Sequence, residues 1–260
     1  MKNQFKSFFN KNKYFIVSIC FVLILFALWE LVVILFNIPF YVLPRFSNVA
    51  KAFFGLFGQR LFYQALGGTL LRILITLTLA ILVGVSFGFL SVNGYIRACF
   101  RPLVASIKSV PVMAITIVIF LATDMERAPL IIGFLMAFPI MYNHTVLGVD
   151  SIDVKLIEMA KVYKVSKKDM LFKIRLPQVL PSIFTGIETS GGMCVKAVIS
   201  AEILCYTLNS IGLKMHILKT NFASEQDMAT LFAYCLVAVL LSLLIELVVK
   251  IVAKGVLKWK

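Results

Sequence analysis

Few residues of this 260-residue chain have the types and spacing that chemistry requires. Its two histidines, His144 and His216, lie 72 residues apart, and neither belongs to an H-E-x-x-H motif or accompanies paired carboxylates. The dipeptide Gly-Lys is absent, so the phosphate-binding motif G-x-x-x-x-G-K-[ST] is absent too. We therefore expect no enzymatic activity, no metal site and no ATP site in this chain, and we expect His144 to be a satisfied core histidine.

The composition indicates a membrane protein. Hydrophobic residues make up 61% of the chain and charged residues 15%, and the mean hydropathy is +0.97. Soluble domains carry about a quarter charged residues. The formal net charge of +14 first suggests membrane topology and anionic lipid as a partner rather than nucleic acid. The five cysteines show no C-x-x-C spacing. We therefore interpret them as small hydrophobic residues and expect neither a disulfide nor a metal site.

Six apolar stretches are long enough to cross a bilayer as helices. The first has 23 residues, more than the apolar region of a signal peptide, and follows a basic N-terminus, residues 1–13. The predicted spans are residues 14–36, 66–92, 100–122, 129–149, 180–206 and 229–253. The sequence thus predicts an all-α membrane protein with six transmembrane helices, forming a single domain over residues 14–260, with an interfacial helix at the outer surface within residues 37–66.

Lysine and arginine are distributed unevenly between the two sides of this arrangement. Seventeen fall in the two terminal segments, around residues 97–101 and in the segment 150–181, whereas six fall in the segments on the other side. The positive-inside rule therefore predicts that both termini and the segment 150–181 are cytoplasmic.

Prolines and small residues mark where the predicted helices bend or approach one another. Pro111 and Pro139 interrupt the third and fourth spans, and the carbonyl groups they leave without partners predict kinks near a cavity. Gly84 and Gly88 form a G-x-x-x-G motif, which lets helix backbones meet closely. Such a pair is compatible both with a helix that moves against its neighbours and with ordinary packing.

The polar segment 150–181 predicts two short amphipathic helices joined by a turn. Asp150, with Asp153 three residues later, is predicted to cap the first helix, and Ser166 with Asp169 to cap the second. One face of the first helix is predicted to carry Leu156, Ala160 and Tyr163.

This segment resembles the cytoplasmic E-A-A…G…I-x-L-P loop of permease subunits of ATP-driven, binding-protein-dependent importers. The positions that correspond to the motif are Glu158, Met159, Ala160, Lys164, Ile174, Leu176 and Pro177. Met159 stands where the family has alanine. Lys164 stands where the family has glycine, so a turn with positive φ is expected to cost about 1 kcal/mol there.

The resemblance implies that this segment contains a coupling helix that docks in a groove of an ATPase subunit. Glu158 is expected to make a polar contact with the ATPase, and Ala160 to allow its close approach. Leu176 and Pro177 are expected to end the second short helix before the fifth span.

Further motifs resemble permeases of the nitrate/sulfonate/taurine type. They are Tyr41-Val42-Leu43-Pro44, Thr69-Leu70-Leu71-Arg72, Lys108-Ser109-Val110-Pro111, the stretch 177–202 and Ile211-Gly212-Leu213. The resemblance implies a type I ABC importer permease fold in the bacterial inner membrane. It also implies a homodimer around a central path, with two ATPase subunits that bind ATP and Mg inside and a substrate-binding protein outside.

The solute is expected to be small and anionic, such as a sulfonate, nitrate, taurine or a related organic acid. A thiamine precursor, riboflavin or another small organic molecule is the alternative within the same fold. An ion-coupled secondary transporter is the alternative from another class, although the sequence shows no inverted repeat.

Charged residues inside the predicted spans are candidates for the translocation path, because each costs a few kcal/mol at the bilayer centre unless it faces water or a partner. The charged candidates are Lys108, Glu188, Lys196 and Glu202, and Pro111 is added because a kink near a cavity is predicted there. Arg72 and Lys108 match basic positions of relatives. We weigh two roles for them equally: an anchor to lipid or to a helix end, and a role in the path. Glu202 matches an Ala-Glu pair that looks structural in relatives.

Glu188 and Lys196 depart from the pattern of relatives, which carry arginine and an aliphatic residue there. We expect Lys196 to face the cavity and to help an anionic group pass, while Glu188 balances its charge. An interhelical ion pair at the dimer seam is an equal alternative.

Overall fold

The computed structural model describes residues 13–221 and 223–257, and this part of the chain is helical without a strand. The helices are α1 (Lys13–Leu35), α2 (Phe46–Leu56), α3 (Arg60–Leu90), α4 (Gly94–Ser109), α5 (Val112–Ala122), α6 (Ala128–Asp150), α7 (Val154–Val162), α8 (Lys167–Asp169), α9 (Leu176–Cys205), α10 (Ile211–Thr220) and α11 (Glu225–Val256). A π-helical segment, Met170–Arg175, joins α8 to α9. The predicted all-α class is confirmed, whereas most of the basic N-terminus 1–13 lies outside the described residues.

The chain forms two compact units. One contains the described residues up to Gln59 together with Leu218–Cys235. In this unit, Ser47 at the start of α2 donates to the Glu30 carboxylate through its backbone nitrogen at 3.2 Å and its hydroxyl at 3.0 Å. Trp29 Nε1 donates to the carbonyl of Pro44 at 3.1 Å. These bonds fix α2 against α1 and confirm a helix within residues 37–66, while its place at the outer surface stays a prediction.

The other unit contains Arg60–Ile217 and the described residues from Leu236 onward, and α6 packs there along both α3 and α9. The G-x-x-x-G motif explains how closely α3 and α6 approach. A Cβ atom on Gly84 would lie 2.5 Å from Met141 Cβ, and one on Gly88 would lie 2.5 Å from Thr145 Cβ. Glycine is therefore required at both positions for this packing.

The bend predicted at Pro111 in the third span, residues 100–122, is confirmed. The first part of this span begins at Gly94, and α4 meets α5 at an angle of 98°. Pro111 causes the break, because the residue before a proline is disfavoured in the helical region, and Val110 is extended with ψ of 128°. Pro139 behaves differently: it is buried inside α6, which runs on without interruption, so the predicted interruption of the fourth span is wrong.

Within the described residues, three helices are long and apolar enough to cross a membrane, namely α3, α6 and α11. The number is four if α4 and α5 form one bent span. The described apolar part of α1, Cys20–Leu35, is shorter than a full span. Helix α9 has 30 residues but is less apolar, since it carries Glu188 and Lys196. Six spans are thus not confirmed and stay a prediction.

Candidate functional site

The loop between α6 and α9, residues 151–175, holds two helix caps. Helix α7 begins after Asp153, whose Oδ1 accepts a hydrogen bond from the backbone nitrogen of Lys155 at 2.9 Å. The prediction that Asp150 caps this helix is wrong. Asp150 ends α6, and its two carboxylate oxygens accept bonds of 2.8 and 2.6 Å from the guanidinium of Arg97.

The second predicted cap is confirmed. The backbone nitrogen of Asp169 donates to Ser166 Oγ at 3.0 Å, and that hydroxyl donates to Asp169 Oδ2 at 2.8 Å. Lys173 forms an ion pair of 2.7 Å with the same carboxylate. Hydrogen bonds from Lys173 and then from Ser166 hold the pKa of Asp169 below its ordinary value. The carboxylate form that makes these contacts is therefore the form present at neutral pH.

The turn after α7 needs the left-handed backbone that the motif predicts. Lys164 has φ of 52°. The backbone nitrogen of Lys164 donates to the carbonyl of Lys161 at 3.0 Å, and that of Val165 donates to the carbonyl of Ala160 at 2.9 Å. This pair of bonds is a Schellman motif, in which glycine is favoured at the left-handed position. Lysine there carries the strain expected from the sequence.

The outward face of α7 is free of intramolecular partners. Glu158 is exposed and makes no hydrogen bond or ion pair with any described residue. Met159, Val162 and Tyr163 are also exposed, Tyr163 by 77%, and its predicted place on one face with Ala160 stays a prediction. Ala160 is only 1% exposed. Its small side chain therefore allows close packing within this chain, and the expectation that it allows the close approach of the ATPase stays a prediction.

Leu176 and Pro177 do not stop the helix, contrary to the prediction. The chain passes from α8 through the π-helical segment directly into α9, and Pro177 lies in the first turn of α9. A proline has no N–H for the carbonyl four residues earlier, and the hydrogen-bond register changes in the turns just before it. Leu176 packs against a buried cluster that includes Ile152 and Val179, while Ile174 is half-buried. Residues 167–205, from α8 to the end of α9, thus form one continuous helical rod, which the turn at Lys164 separates from α7.

Glu188 and Lys196 are not partners in this chain. Glu188 Oε1 lies 2.9 Å from Lys250 Nζ on α11, which is an interhelical ion pair within this chain, and the expectation that Glu188 balances the charge of Lys196 stays a prediction. Lys196 is exposed on α9 and has no hydrogen bond or ion pair among the described residues. It continues an exposed stripe with Thr189 and Met193, and its role in a path stays a prediction.

Glu202 lies at the centre of a buried polar network at the far end of α9. Its carboxylate is 0% exposed and accepts bonds from Thr69 Oγ1 at 2.9 Å, Arg72 Nη1 at 3.3 Å and the backbone nitrogen of Gly212 at 3.3 Å. These bonds join α9 to α3 and α10, which agrees with the structural role that the family resemblance implies.

Arg72 extends this network and is not a lipid anchor. Its side chain is 12% exposed, pairs with Glu126 as well as Glu202, and donates to the carbonyl of Leu208 at 3.0 Å. The sequence analysis missed Glu126 and Thr69. Glu126 lies in the short segment between the third and fourth predicted spans. The predicted topology places this segment on the same side of the membrane as the end of α9, and this shared side is the signal that indicates the contact.

A cavity of about 670 Å³ lies between α4, α6 and α9. The polar side chains that line it are Arg97, Arg101, Lys108, Asn143, His144 and Thr189. His144 is half-buried on the cavity wall, so the prediction of a core histidine is wrong. Lys108 lines this cavity, whereas Pro111 lies at the N-cap of α5, outside it.

These features belong to a known family. A family model described as "binding-protein-dependent transport system inner membrane component" matches residues 77–258, which is well over half of the chain and includes the loop, α9 and the cavity. The chain belongs to this family. The resemblance identified from the loop motif is thereby confirmed.

Two curated relatives come from the nitrate type of this family. The chain is 29% identical over 176 residues to the bicarbonate transport system permease protein CmpB of Synechococcus elongatus, covering 66% of this chain and 63% of that protein. It is 30% identical over 149 residues to the nitrate import permease protein NrtB of Leptolyngbya laminosa, covering 56% of this chain and 53% of that protein. The chain thus spans between about half and two thirds of these relatives' length.

The solved structures include one with the same fold. It is an inward-facing conformation of the MetNI methionine ABC transporter, with a TM-score of 0.59, 14% identity and coverage of 75% of this chain and 96% of that chain. At this identity the likeness shows the fold alone, and it confirms the predicted fold of a type I ABC importer permease.

Proposed function

We propose that this chain is the permease subunit of an ATP-binding-cassette importer and forms the path for a small anionic solute that a binding protein delivers. The observation that carries the proposal is the loop after α6. Its first helix, α7, is capped and presents exposed side chains without a partner in the described chain, and after the turn at Lys164 its second part, from α8 onward, continues into α9. The two relatives named for bicarbonate and nitrate, both small anions, support the class of solute.

The outward face of α7 has the composition of a docking surface. It presents one free carboxylate, Glu158, among the exposed apolar side chains of Met159, Val162 and Tyr163. A groove on an ATPase subunit would bury the apolar side chains and supply a donor to the carboxylate. The partner would also supply ATP and Mg binding, because this chain has no phosphate-binding loop.

The complete transporter would contain two copies of this chain, two ATPase subunits and the binding protein. It would lie in the bacterial inner membrane with the loop and both termini in the cytoplasm, as the distribution of lysine and arginine favours. Closure of the ATPase subunits on ATP would displace α7 and, through the turn at Lys164, the rod of residues 167–205, so that α9 tilts and the path opens to alternate sides.

The Glu158→Lys variant tests this proposal. The permease is co-expressed with its ATPase and binding protein and reconstituted in proteoliposomes. The reversed charge should prevent docking, so we expect loss of ATPase co-purification and at least a tenfold loss of the ATP hydrolysis that the loaded binding protein stimulates.

Glu158→Gln is the matched control, since it keeps the shape and hydrogen-bonding ability of the side chain and should lose less activity. Both variants should insert in the membrane to the same level, because Glu158 has no contact within the described chain. A Glu158→Lys permease that still co-purifies with the ATPase and still couples would refute the proposed docking.

A further inference from the structure

The cavity between α4, α6 and α9 concentrates positive charge. Arg97, Arg101 and Lys108 all reach it from α4, and the described residues that line it include no aspartate or glutamate. The ion pair with Asp150 neutralises only Arg97. Arg101 and Lys108 make no hydrogen bond or ion pair with any described residue. The cavity thus holds two cations without a counter-charge.

Uncompensated cations in a concave site produce a positive potential that attracts anions. The repulsion between the two cations is costly where water is partly excluded. An anion between them lowers the total electrostatic energy, because it attracts both. The volume, about 670 Å³, is within the usual range for sites of small molecules and leaves room for water around a small ligand. Asn143, on the α6 wall, adds a neutral amide donor.

We propose that this cavity is a binding site for a small oxyanion, held by Arg101 and Lys108 with Asn143 as a neutral donor. The oxyanion has two possible sources with the same chemistry: the anionic group of the transported solute and the phosphate of a lipid headgroup. The solute source rests on the proposed permease function; the site itself rests on the charges and the cavity.

Ala105 offers a place for a probe, because it lines the cavity four residues after Arg101 and three before Lys108. Residues at these spacings are neighbours on a helix surface. An Ala105→Cys thiol therefore samples the potential of both cations. The exposed cysteines Cys20, Cys99 and Cys235 are first replaced by serine, while the buried Cys194 and Cys205 are kept.

The experiment uses the complex of permease, ATPase and binding protein in lipid nanodiscs. The rates at which an anionic sulfonatoethyl and a cationic trimethylammonioethyl methanethiosulfonate modify the Ala105→Cys thiol are measured. We expect the anionic reagent to react faster, and we expect the rate ratio to fall about tenfold with Lys108→Gln and again with Arg101→Gln. Lys108→Arg should keep the ratio.

The matched control is a Tyr95→Cys thiol. Tyr95 is exposed and lies 13 residues before Lys108, about 20 Å along α4, which is beyond the screening length in physiological salt. Lys108→Gln should change the rate ratio there by less than about twofold. A tenfold change at both positions would show a global effect on the fold and would overturn the proposal.

Binding is tested by protection of the Ala105→Cys thiol. Chloride is replaced by nitrate or bicarbonate at constant ionic strength in phosphatidylcholine nanodiscs, and phosphatidylglycerol replaces part of the phosphatidylcholine in a second set. Slower modification with the free anions assigns the site to a solute, and slower modification only with phosphatidylglycerol assigns it to a lipid headgroup. Protection in neither set overturns the proposal, whatever the rate ratio.

Stimulated ATP hydrolysis, measured in the same nanodiscs, separates this inference from the proposed function. If hydrolysis stays coupled in Glu158→Lys while anions protect the thiol, the docking proposal fails and the oxyanion site stands. If Glu158→Lys uncouples hydrolysis but neither the free anions nor phosphatidylglycerol protect the thiol, the oxyanion site alone fails.

Discussion

Replacing Arg72 by methionine should destabilise this protein, because it removes the cationic partner of the buried carboxyl group of Glu202. Glu202 is 0% exposed, and without Arg72 it keeps only the bonds from Thr69 and Gly212. Removing one partner of a buried ion pair typically costs 3 to 5 kcal/mol. Since two neutral donors remain, we expect Arg72→Met to lower the free energy of unfolding by about 3 kcal/mol.

A double-mutant cycle isolates this interaction. Glu202→Gln keeps the shape of the side chain and removes its charge, and we expect a loss of about 1 to 3 kcal/mol. In the double variant no buried carboxylate is left unpaired, so its loss should be about 2 kcal/mol smaller than the sum of the two single losses. The measurement is denaturant unfolding of the purified permease in mixed micelles, followed by far-ultraviolet circular dichroism.

Additivity of the two single losses within about 0.5 kcal/mol would refute this reasoning. It would mean that Glu202 does not depend on Arg72 and that the pairs of Arg72 with Glu126 and with the carbonyl of Leu208 carry its whole contribution. A Glu126→Gln variant measured alongside distinguishes that case, because it weakens only the half-exposed pair and should cost about 1 kcal/mol or less.

Two further predictions concern the backbone. Gly84→Leu should lower the unfolding temperature, because its Cβ would lie 2.5 Å from Met141 Cβ and would force α3 away from α6. Such overpacking costs about 1 to 3 kcal/mol or more. Gly94→Ala is the control and should unfold near the wild-type temperature, because no atom lies within 4 Å of its Cβ. Lys164→Gly should raise the free energy of unfolding by about 1 kcal/mol and leave coupling intact, because φ of 52° suits glycine, whereas a fall in stability would contradict the strain assigned to this turn.

The parts of this structure that depend on near neighbours in the chain were predictable from the sequence. Ser166 caps a helix through Asp169, three residues away, and the turn at Lys164 is closed by bonds to residues three and five positions earlier. The break at Val110 follows from the adjacent proline. In each case the type of residue and its immediate sequence decide the local backbone.

Contacts between helices could not be predicted in this way. The local sequence around Asp150 predicts a helix cap, but the residue that binds its carboxylate, Arg97, lies 53 residues away. The partners of Glu188 and Glu202 likewise lie on other helices. Spacing along one helix shows which face a charge occupies, but the packing of the whole unit decides which charge on another helix meets that face.

Helix α9 connects the loop that precedes it to the buried network around Glu202. It continues α8 and the π-helical segment at one end and carries Glu202 near the other, and its 30 residues extend about 45 Å. Close glycine contacts hold it on both sides, since a Cβ on Gly186 would lie 2.8 Å from His144 on α6 and one on Gly191 would lie 2.9 Å from Ile245 on α11. Because these contacts interlock α9 with α6 and α11, we expect a displacement of α9 to move the three helices together, and we expect the Glu202 network to oppose that movement at the distant end.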